Sequence, residues 1–403
     1  MVEPSETERG QRWLSNFKAH EISAAKRLLD NLDCVGQDEL RNGLILAVTR
    51  LAKRLKTPIA LVPVRELDSH QSYYGVDRNA TPRLLLSGSF PGSEAVVANI
   101  ITNLRRRAGN KGDFVAAPSL ANMREAQCRT VLLVDDYSGS GTRIENFLKS
   151  YRRHKPILSW QSYKLIDLHV ITYVMTEFAR NRLVRLLGDD AVQTARVGAT
   201  FDEQAWETDE LAEVIRLCQA HSEERKTSYP FGFLGTRGMT VFSHSVPNNI
   251  PYILRRKSSS TWNSFFEGNV VPNDILPLFS QPKRALRLEA ALARMGQERL
   301  QTGHWRLRAT SFLKEAVLVL AAVARGVSDE HAICRSTTLS ADEVSSIVYN
   351  CRRWGLINKL SLHLTDQGRS ELMHAKKIGL GEERFQLNPS NDFYYLQQLR
   401  VGR

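Results

Sequence analysis

Val131-Leu132-Leu133-Val134-Asp135-Asp136-Tyr137-Ser138-Gly139-Ser140-Gly141-Thr142 is the stretch on which the reading of this chain turns. Its four leading apolar residues fit a strand buried on both faces, as in the middle of a parallel sheet, and the strand is read over residues 130–134. Two adjacent carboxylates follow at the C-terminal end, which in open parallel sheets opens on the ligand crevice. Neighbouring aspartates repel one another, and desolvating either without partners is costly. They call for a metal, or for hydroxyl and amide donors. Ser138, Gly139, Ser140, Gly141 and Thr142 then supply hydroxyls and bare backbone N–H groups at the start of a helix read over residues 144–151. Such a turn takes phosphate, because glycine lets the backbone approach closely and the helix terminus adds positive potential. Arg143 stands beside it. Acids able to hold a diol, followed directly by a phosphate cradle, describe a site for a ribose 5-phosphate. A surface Asp-Asp turn feeding an ordinary helix is the plain alternative, and the length of the pattern in its β–α setting weighs against it. A P-loop is excluded for want of Gly-x-x-x-x-Gly-Lys, and a dinucleotide fingerprint lacks the leading acid pair.

Outward from this stretch, strands and helices alternate. The first fifty residues read as helices, with Leu28, Leu29 and Leu32 on one face and Leu40, Leu44, Ala47, Val48 and Leu51 at helical spacing. Residues 59–64 are a short apolar strand, 83–89 a second strand ending in the small-residue loop Ser87-Gly88-Ser89, and 95–107 a helix. A fourth strand is read over 168–175 and a helix over 178–187. The alternation argues for α/β architecture with a doubly wound, mainly parallel sheet. Residues 239–243 read as a further strand, followed by a polar loop with Pro247, Asn248, Asn249 and Pro251. His244, Asn248 and Asn249 suit a base edge or a reacting group, since amides donate and accept together; equally, Asn and Pro shape turns.

LLVDDYSGSGT resembles the PRPP-binding motif of type I phosphoribosyltransferases. GFLG at 232–235, running through MTVFSHSVPNNIPYILRR to Trp262, resembles the phosphoribosyltransferase-like domains of bacterial conflict (antiphage) operons. Together the two signatures cover about residues 55–270. The resemblance implies Asp135 and Asp136 at the ribose hydroxyls, residues 138–142 around the 5-phosphate, and Mg²⁺ held to the acids through the ligand. It also implies displacement or hydrolysis at ribose C1, by a glycosyl transferase or an N-glycosidic hydrolase. Transferases of this type usually carry a charged or aromatic pyrophosphate loop and a mobile catalytic loop. Ser87, Gly88 and Ser89 are the candidates for the former; residues 105–129 are the candidate for the latter, with Arg107, Lys111 or Arg124 as the cation.

The last third has its own logic. Residues 283–300 read as a basic amphipathic helix and 311–325 as an apolar-striped helix stopped by Gly326. Ser328 caps a short helix through Arg335, and Ser340-Ala-Asp-Glu343 is a capping box opening a third helix to Trp354. Residues 356–364 alternate like a small hairpin, and Thr365 opens a closing helix. This order makes a winged helix-turn-helix, and the GLI…LTDQGR segment resembles the wing region of many bacterial winged-helix domains. Its third helix offers Ser345, Ser346, Tyr349, Asn350, Arg352 and Arg353, with Lys359 beyond, to phosphates and base edges; the same fold also serves for protein contacts. The expected organisation is a helical segment over 1–54, the phosphoribosyltransferase-like domain over 55–275, a linker helix over 276–305, the winged helix over 306–380 and a tail over 381–403.

Composition agrees with a globular protein of two or three domains: 403 residues, 42% hydrophobic and 24% charged. No apolar run is long enough for a membrane span and the polar N-terminus has no secretory core, which points to the cytoplasm. Cys34, Cys128, Cys218, Cys334 and Cys351 are odd in number and widely spaced, against a disulfide framework or zinc site and for reduced core residues. The net charge is +12, and residues 281–403 hold 19 Lys and Arg against 12 Asp and Glu, so +7 of the excess lies there. That suggests a polyanionic partner. The resemblance to conflict-operon domains implies an antiphage-type effector, docking DNA or an RNA–DNA hybrid such as a retron's small DNA with its reverse transcriptase, alone or as a homo- or hetero-oligomer. A PRPP- or nucleotide-sensing transcriptional regulator and a catalytically inert assembly component are the alternatives.

Overall fold

The structure is a computed structural model that describes residues 2–66, 72–75, 79–82, 93–108, 113–204, 206–222, 229–280, 288, 291–293, 295–301, 311–327, 329–337 and 339–377. The strand read over 83–89, with Ser87, Gly88 and Ser89, lies outside these residues, as do Lys111, Ser328, the Arg107 side chain and the tail from 381. The chain divides into two units, Met1–Asp202 with Trp206–Gln281, and Glu203–Ala205 with Pro282–Arg403.

In the first unit the strands are β1 (Asp33–Val35), β2 (Ile59–Pro63), β3 (Phe114–Ala116), β4 (Thr130–Ser138), β5 (Asp167–Met175), β6 (Val192–Val197) and β7 (Thr240–Phe242). The helices are α1 (Glu8–Leu14), α2 (Ile22–Asp30), α3 (Gln37–Ala52), α4 (Ser93–Ala108), α5 (Leu120–Glu125), α6 (Thr142–Arg152), α7 (Lys155–Ser162), α8 (Glu177–Leu187), α9 (Thr208–Ala220) and the single turn α10 (Tyr252–Arg255). Five strands form one sheet in the order β3-β2-β4-β5-β6, every neighbouring pair parallel. Strand periodicity sends alternate residues to opposite faces. Ile59, Leu61, Leu132, Val134, Ile171 and Ala195 pack with α3 and α4, whereas Ala60, Val62, Val131, Leu133, Val170 and Val192 pack with α5 to α8. Helices therefore cover both faces, as the doubly wound reading requires.

Two features depart from the sequence reading. The central strand does not stop at Val134: β4 runs on to Ser138, because Asp135, Tyr137 and Ser138 keep pairing with Thr172, Val174 and Met175 of β5. The two acids thus lie on the strand itself. Residues 113–129, offered as part of a mobile loop, instead hold the edge strand β3 and the helix α5, whose Ser119 side chain caps the Asn122 N–H.

A third core joins distant parts of the chain. Trp13, Leu14, Leu28 and Leu29 from α1 and α2 pack with Leu217 and Cys218 of α9, Val241 of β7, and Trp262, Phe265 and Phe266. β1 pairs in parallel with β7, Cys34 opposite Val241. The N-terminal helices thus share one core with the segment carrying His244 and Asn249.

The second unit holds α11 (Glu298–Gln301), α12 (Ser311–Ala324), α13 (Glu330–Thr337), α14 (Ala341–Arg353) and α15 (Asp366–Lys377). A single helix over 283–300 is ruled out, since Gly296 takes φ +59 and the Gln297 N–H turns back to the Leu292 carbonyl. Asp329 accepts the Ala332 N–H at the head of α13. The capping box is present at α14: Ser340 accepts the Glu343 N–H at 3.2 Å and the Glu343 carboxylate accepts the Ser340 N–H at 2.9 Å. The hairpin reduces to one antiparallel bridge, Ile357 with Leu364, whose tip leaves Leu360 97% exposed. All five cysteines are buried and unbridged. No described helix is long and apolar enough to cross a membrane.

Candidate functional site

β4 carries Asp135 and Asp136 in its C-terminal half, and both are buried, at 0% and 2% exposure. Charges at such depth persist only with partners. Asp135 Oδ1 accepts the Asp136 N–H at 3.0 Å and also faces Arg143 Nη2, while Oδ2 accepts from Arg143 Nε at 3.2 Å. Asp136 Oδ1 accepts from the Tyr137 N–H at 2.8 Å and from Arg143 Nη2 at 3.2 Å. His244 Nε2 stands 2.9 Å from Asp136 Oδ2 and, facing a carboxylate, is the donor. Its Nδ1 is buried with no hydrogen-bond partner among the described residues.

The negative charge is divided unevenly. Burial pushes the Asp135 carboxyl well up, with Arg143 opposing and the Asp136 charge adding to the rise. Burial also works to raise Asp136, but the His244 hydrogen bond and the Arg143 charge outweigh it and hold Asp136 below the usual carboxylate range. Arg143, despite its own desolvation, is held protonated by the acids.

The cradle follows at once. Gly141, at φ +74, is the N-cap of α6, a left-handed position glycine takes without penalty. Ser140 Oγ donates to Thr142 Oγ1 at 3.1 Å, and Thr176 Oγ1 donates to the Gly139 carbonyl at 2.6 Å. Gly139 lies against Asn249: a Cβ there would stand 2.2 Å from Asn249 Cγ. Asn249 is itself buried and donates to Thr236 Oγ1 at 2.8 Å. From α8, Arg182 Nη1 donates to Thr142 Oγ1 at 3.0 Å while Nε bonds Glu145. Two buried acids on the central strand are thus followed directly by a glycine-lined turn and a helix terminus.

A family model described as PRTase-CE matches residues 11–267. The chain belongs to the PRTase-CE family. A second model, described as wHTH-PRTase associated, matches residues 317–401. No curated protein matches the chain, and neither does any solved structure. This PRTase-CE protein is thus a phosphoribosyltransferase-like α/β domain followed by a winged-helix domain.

The candidate site draws together residues that the sequence left apart. Asp135, Asp136 and His244 form one hydrogen-bonded group, and Asn249 packs on the cradle, whereas Asn248 is exposed and gives its carbonyl to the Phe233 N–H and to Arg255. Arg124 is engaged elsewhere, with its guanidinium 5.7 Å from the centre of the Trp160 ring. Arg182 was not anticipated, since an arginine on a later helix carries no local signal. Among the described residues no group of three His, Cys, Asp or Glu side chains is placed to hold a metal ion, and the acids' oxygens already accept hydrogen bonds. In the winged-helix domain, Ser345, Ser346, Tyr349 and Arg353 of α14 and Lys359 beyond it are exposed; Arg352 is half-buried, and the Asn350 amide turns back to the Ser346 carbonyl.

Proposed function

We propose that this protein binds a ribose 5-phosphate ligand, PRPP or a nucleotide, between Asp135/Asp136 and the cradle of Ser138, Gly139, Ser140, Gly141 and Thr142, and acts at ribose C1. The observation that carries the reading is the adjacency of two buried acids near the end of the central strand to the glycine-lined N-terminus of α6 that follows it. Ribose hydroxyls donate to the two acids, and backbone N–H groups at the cradle take the phosphate. As the bond at C1 breaks, positive charge grows on the ring, and a fixed carboxylate stabilises it. Mg²⁺ arriving with a diphosphate supplies charge neutralisation. Transfer to a base and hydrolytic cleavage share these requirements.

The test is calorimetric titration of PRPP and of ribose 5-phosphate with Mg²⁺. The Asp135→Asn/Asp136→Asn variant weakens both by about a hundredfold, the value of one or two hydrogen bonds to charged groups. Unchanged affinity would remove the acids from the site.

The winged helix is the docking module for a nucleic acid in this proposal. Arg353 stacks 5.8 Å from the centre of the exposed Tyr349 ring on α14, which offers a cation and an aromatic face together. Arg353→Ala is expected to weaken binding to duplex DNA across all sequences and to reduce the slope of log K against log salt by about one. A salt-independent affinity in the wild type defeats this part. The likeness of residues 232–262 to conflict-operon domains supports an antiphage effector, with a retron's small DNA as a candidate partner. A regulator differs in its readout: the double Asp variant of an effector loses defence and keeps DNA binding, whereas that of a sensor loses only the ligand response.

A further inference from the structure

Three central strands start level with one another: Ile59 of β2 stands opposite Thr130 of β4, and Thr130 opposite Asp167 of β5. Hydrogen bonds hold the connections that enter them side by side. The Arg129 N–H donates to the Pro58 carbonyl and the Asp167 N–H to the Arg129 carbonyl, each at 2.9 Å, and Thr130 Oγ1 donates to the Lys56 carbonyl at 2.7 Å. These connections, residues 53–58, 124–129 and 152–167, hold nine Lys and Arg against Glu125 and Asp167, a net of +7. The rest of the first 280 residues sums to −2, so the net positive charge of that part of the chain lies at this one end of the sheet. Lys56 pairs with Asp167 at 3.1 Å. Lys53, Arg54, Arg129, Lys155 and Lys164 are exposed, and among the described residues no carboxylate pairs with any of them. Like charges gathered without acids between them repel, and a polyanion relieves the repulsion. The acid pair is not what they serve. Five residues of extended β4 separate Thr130 from Asp135, about 17 Å, well beyond the range of about 8 Å over which exposed charges act in physiological salt.

Aromatic rings stand among these cations. Tyr163, in the turn between α7 and β5, is 76% exposed and adjoins Lys164. The same turn is closed by the Leu165 N–H on the Trp160 carbonyl at 2.8 Å, and the Trp160 ring carries the Arg124 guanidinium. Arg152 Nε donates to Gln161 Oε1 at 3.2 Å, which joins the end of α6 to it. Five of the nine cations are arginines, whose planar fork fits phosphate oxygens and whose face stacks on bases. We propose that this end of the sheet is a surface for single-stranded nucleic acid, its phosphates held by Lys53, Arg54, Arg129, Lys155 and Lys164 and a base stacked on Tyr163. Phosphate contacts and aromatic stacking are the two components by which single strands are bound without regard to sequence. A duplex keeps its bases stacked on one another and leaves Tyr163 unused. The surface draws on neither the acid pair nor α14, so it stands or falls apart from the ligands proposed for them.

Fluorescence anisotropy of a labelled oligothymidylate of about 16 nucleotides, titrated with the full chain over a range of salt, tests this. Arg353→Ala serves as the parent, so that the contribution of α14 is reduced from the start. Adding Lys53→Gln, Arg54→Gln, Arg129→Gln and Lys164→Gln together is expected to lower the slope of log K against log salt by about three, at about 0.7 per phosphate contact on a single strand. Tyr163→Ala should weaken binding about tenfold and leave the slope unchanged, because stacking releases no counterions. Tyr163→Phe keeps the ring and should bind like the parent. The replaced side chains are exposed, so every variant should melt with the parent. An unchanged slope in the quadruple variant overturns the inference, as does a Tyr163→Ala variant with the parent's affinity. If Arg353→Ala alone abolishes binding, the winged helix carries the nucleic acid and this face does not. Vesicles containing phosphatidylserine are the second probe: a quadruple variant that loses the vesicles and keeps the oligonucleotide makes the face a membrane contact, and the inference falls.

Discussion

Arg196→Met is expected to lower the stability of the phosphoribosyltransferase-like domain by about 3–5 kcal/mol, the cost of leaving a buried charge without its partner. Arg196 is 5% exposed, on the edge strand β6. Its Nη1 reaches Asp33 Oδ1 at 3.1 Å, its Nη2 pairs with Asp33 Oδ2, and Nη1 lies 3.6 Å from Glu39 Oε1. Asp33 begins β1, Glu39 lies in the first turn of α3, and Thr240 of β7 donates to Asp33 Oδ2 at 3.1 Å. One guanidinium therefore ties the edge of the main sheet to the two-stranded sheet and to a covering helix. The methionine variant keeps the apolar stem but strands the Asp33 carboxylate. For a unit of this size the loss corresponds to a fall in Tm of about 10 °C. Adding Asp33→Asn should restore about half of it, because removing both charges is less harmful than removing one. A Tm within about 2 °C of wild type for Arg196→Met alone would show that this ion pair contributes nothing.

That node also shows where sequence reasoning stops. β4 was legible because Val131, Leu132, Leu133 and Val134 are apolar without a break, the pattern of a strand covered on both faces. The turn into α6 was legible because glycine at 139 and 141 breaks the strand and Gly141 takes the left-handed N-cap position. β6, by contrast, reads Val-Gln-Thr-Ala-Arg-Val, and its arginine looks like a surface residue until Asp33, 163 positions away in the chain, is brought beside it. The same holds within the site. His244 stood out in its motif, but only folding shows that its ring meets Asp136, 108 positions earlier. Arg143 is adjacent to the cradle in sequence and was read as a neighbour of the phosphate. Its turn back onto both acids depends on how the first turn of α6 follows from Gly141, which no periodicity encodes. Patterns of hydrophobicity report layers; long-range ion pairs report nothing until the layers exist.

Gly139→Ala is expected to damage both stability and the proposed binding of ribose 5-phosphate, and the damage should be reversible at one other position. The added Cβ would stand 2.2 Å from Asn249 Cγ, 2.4 Å from Oδ1 and 2.7 Å from Nδ2, all far inside contact distance. Asn249 has little room to yield, being buried and bonded to Thr236. Overpacking of this kind costs about 1–3 kcal/mol. The strain falls on the cradle as well as on Asn249, because the Gly139 carbonyl is fixed by Thr176, so affinity for ribose 5-phosphate should drop by at least about tenfold, equivalent to about 1.4 kcal/mol. Asn249→Ala in the same chain empties the space that the new methyl needs. The double variant should regain both Tm and affinity, less about 1 kcal/mol for the lost hydrogen bond to Thr236. Gly141→Ala is the contrast: at φ +74 it carries a conformational penalty of about 1 kcal/mol, and its Cβ would stand 3.2 Å from Arg182 Cδ and 3.3 Å from the Ala179 carbonyl oxygen rather than against Asn249, so Asn249→Ala should not relieve it. If Gly139→Ala alone melts and binds like wild type, the packing of Asn249 on the cradle is not what requires glycine there. If the double variant recovers stability but not affinity, the methyl group obstructs the phosphate directly, and residue 139 is part of the binding surface in its own right.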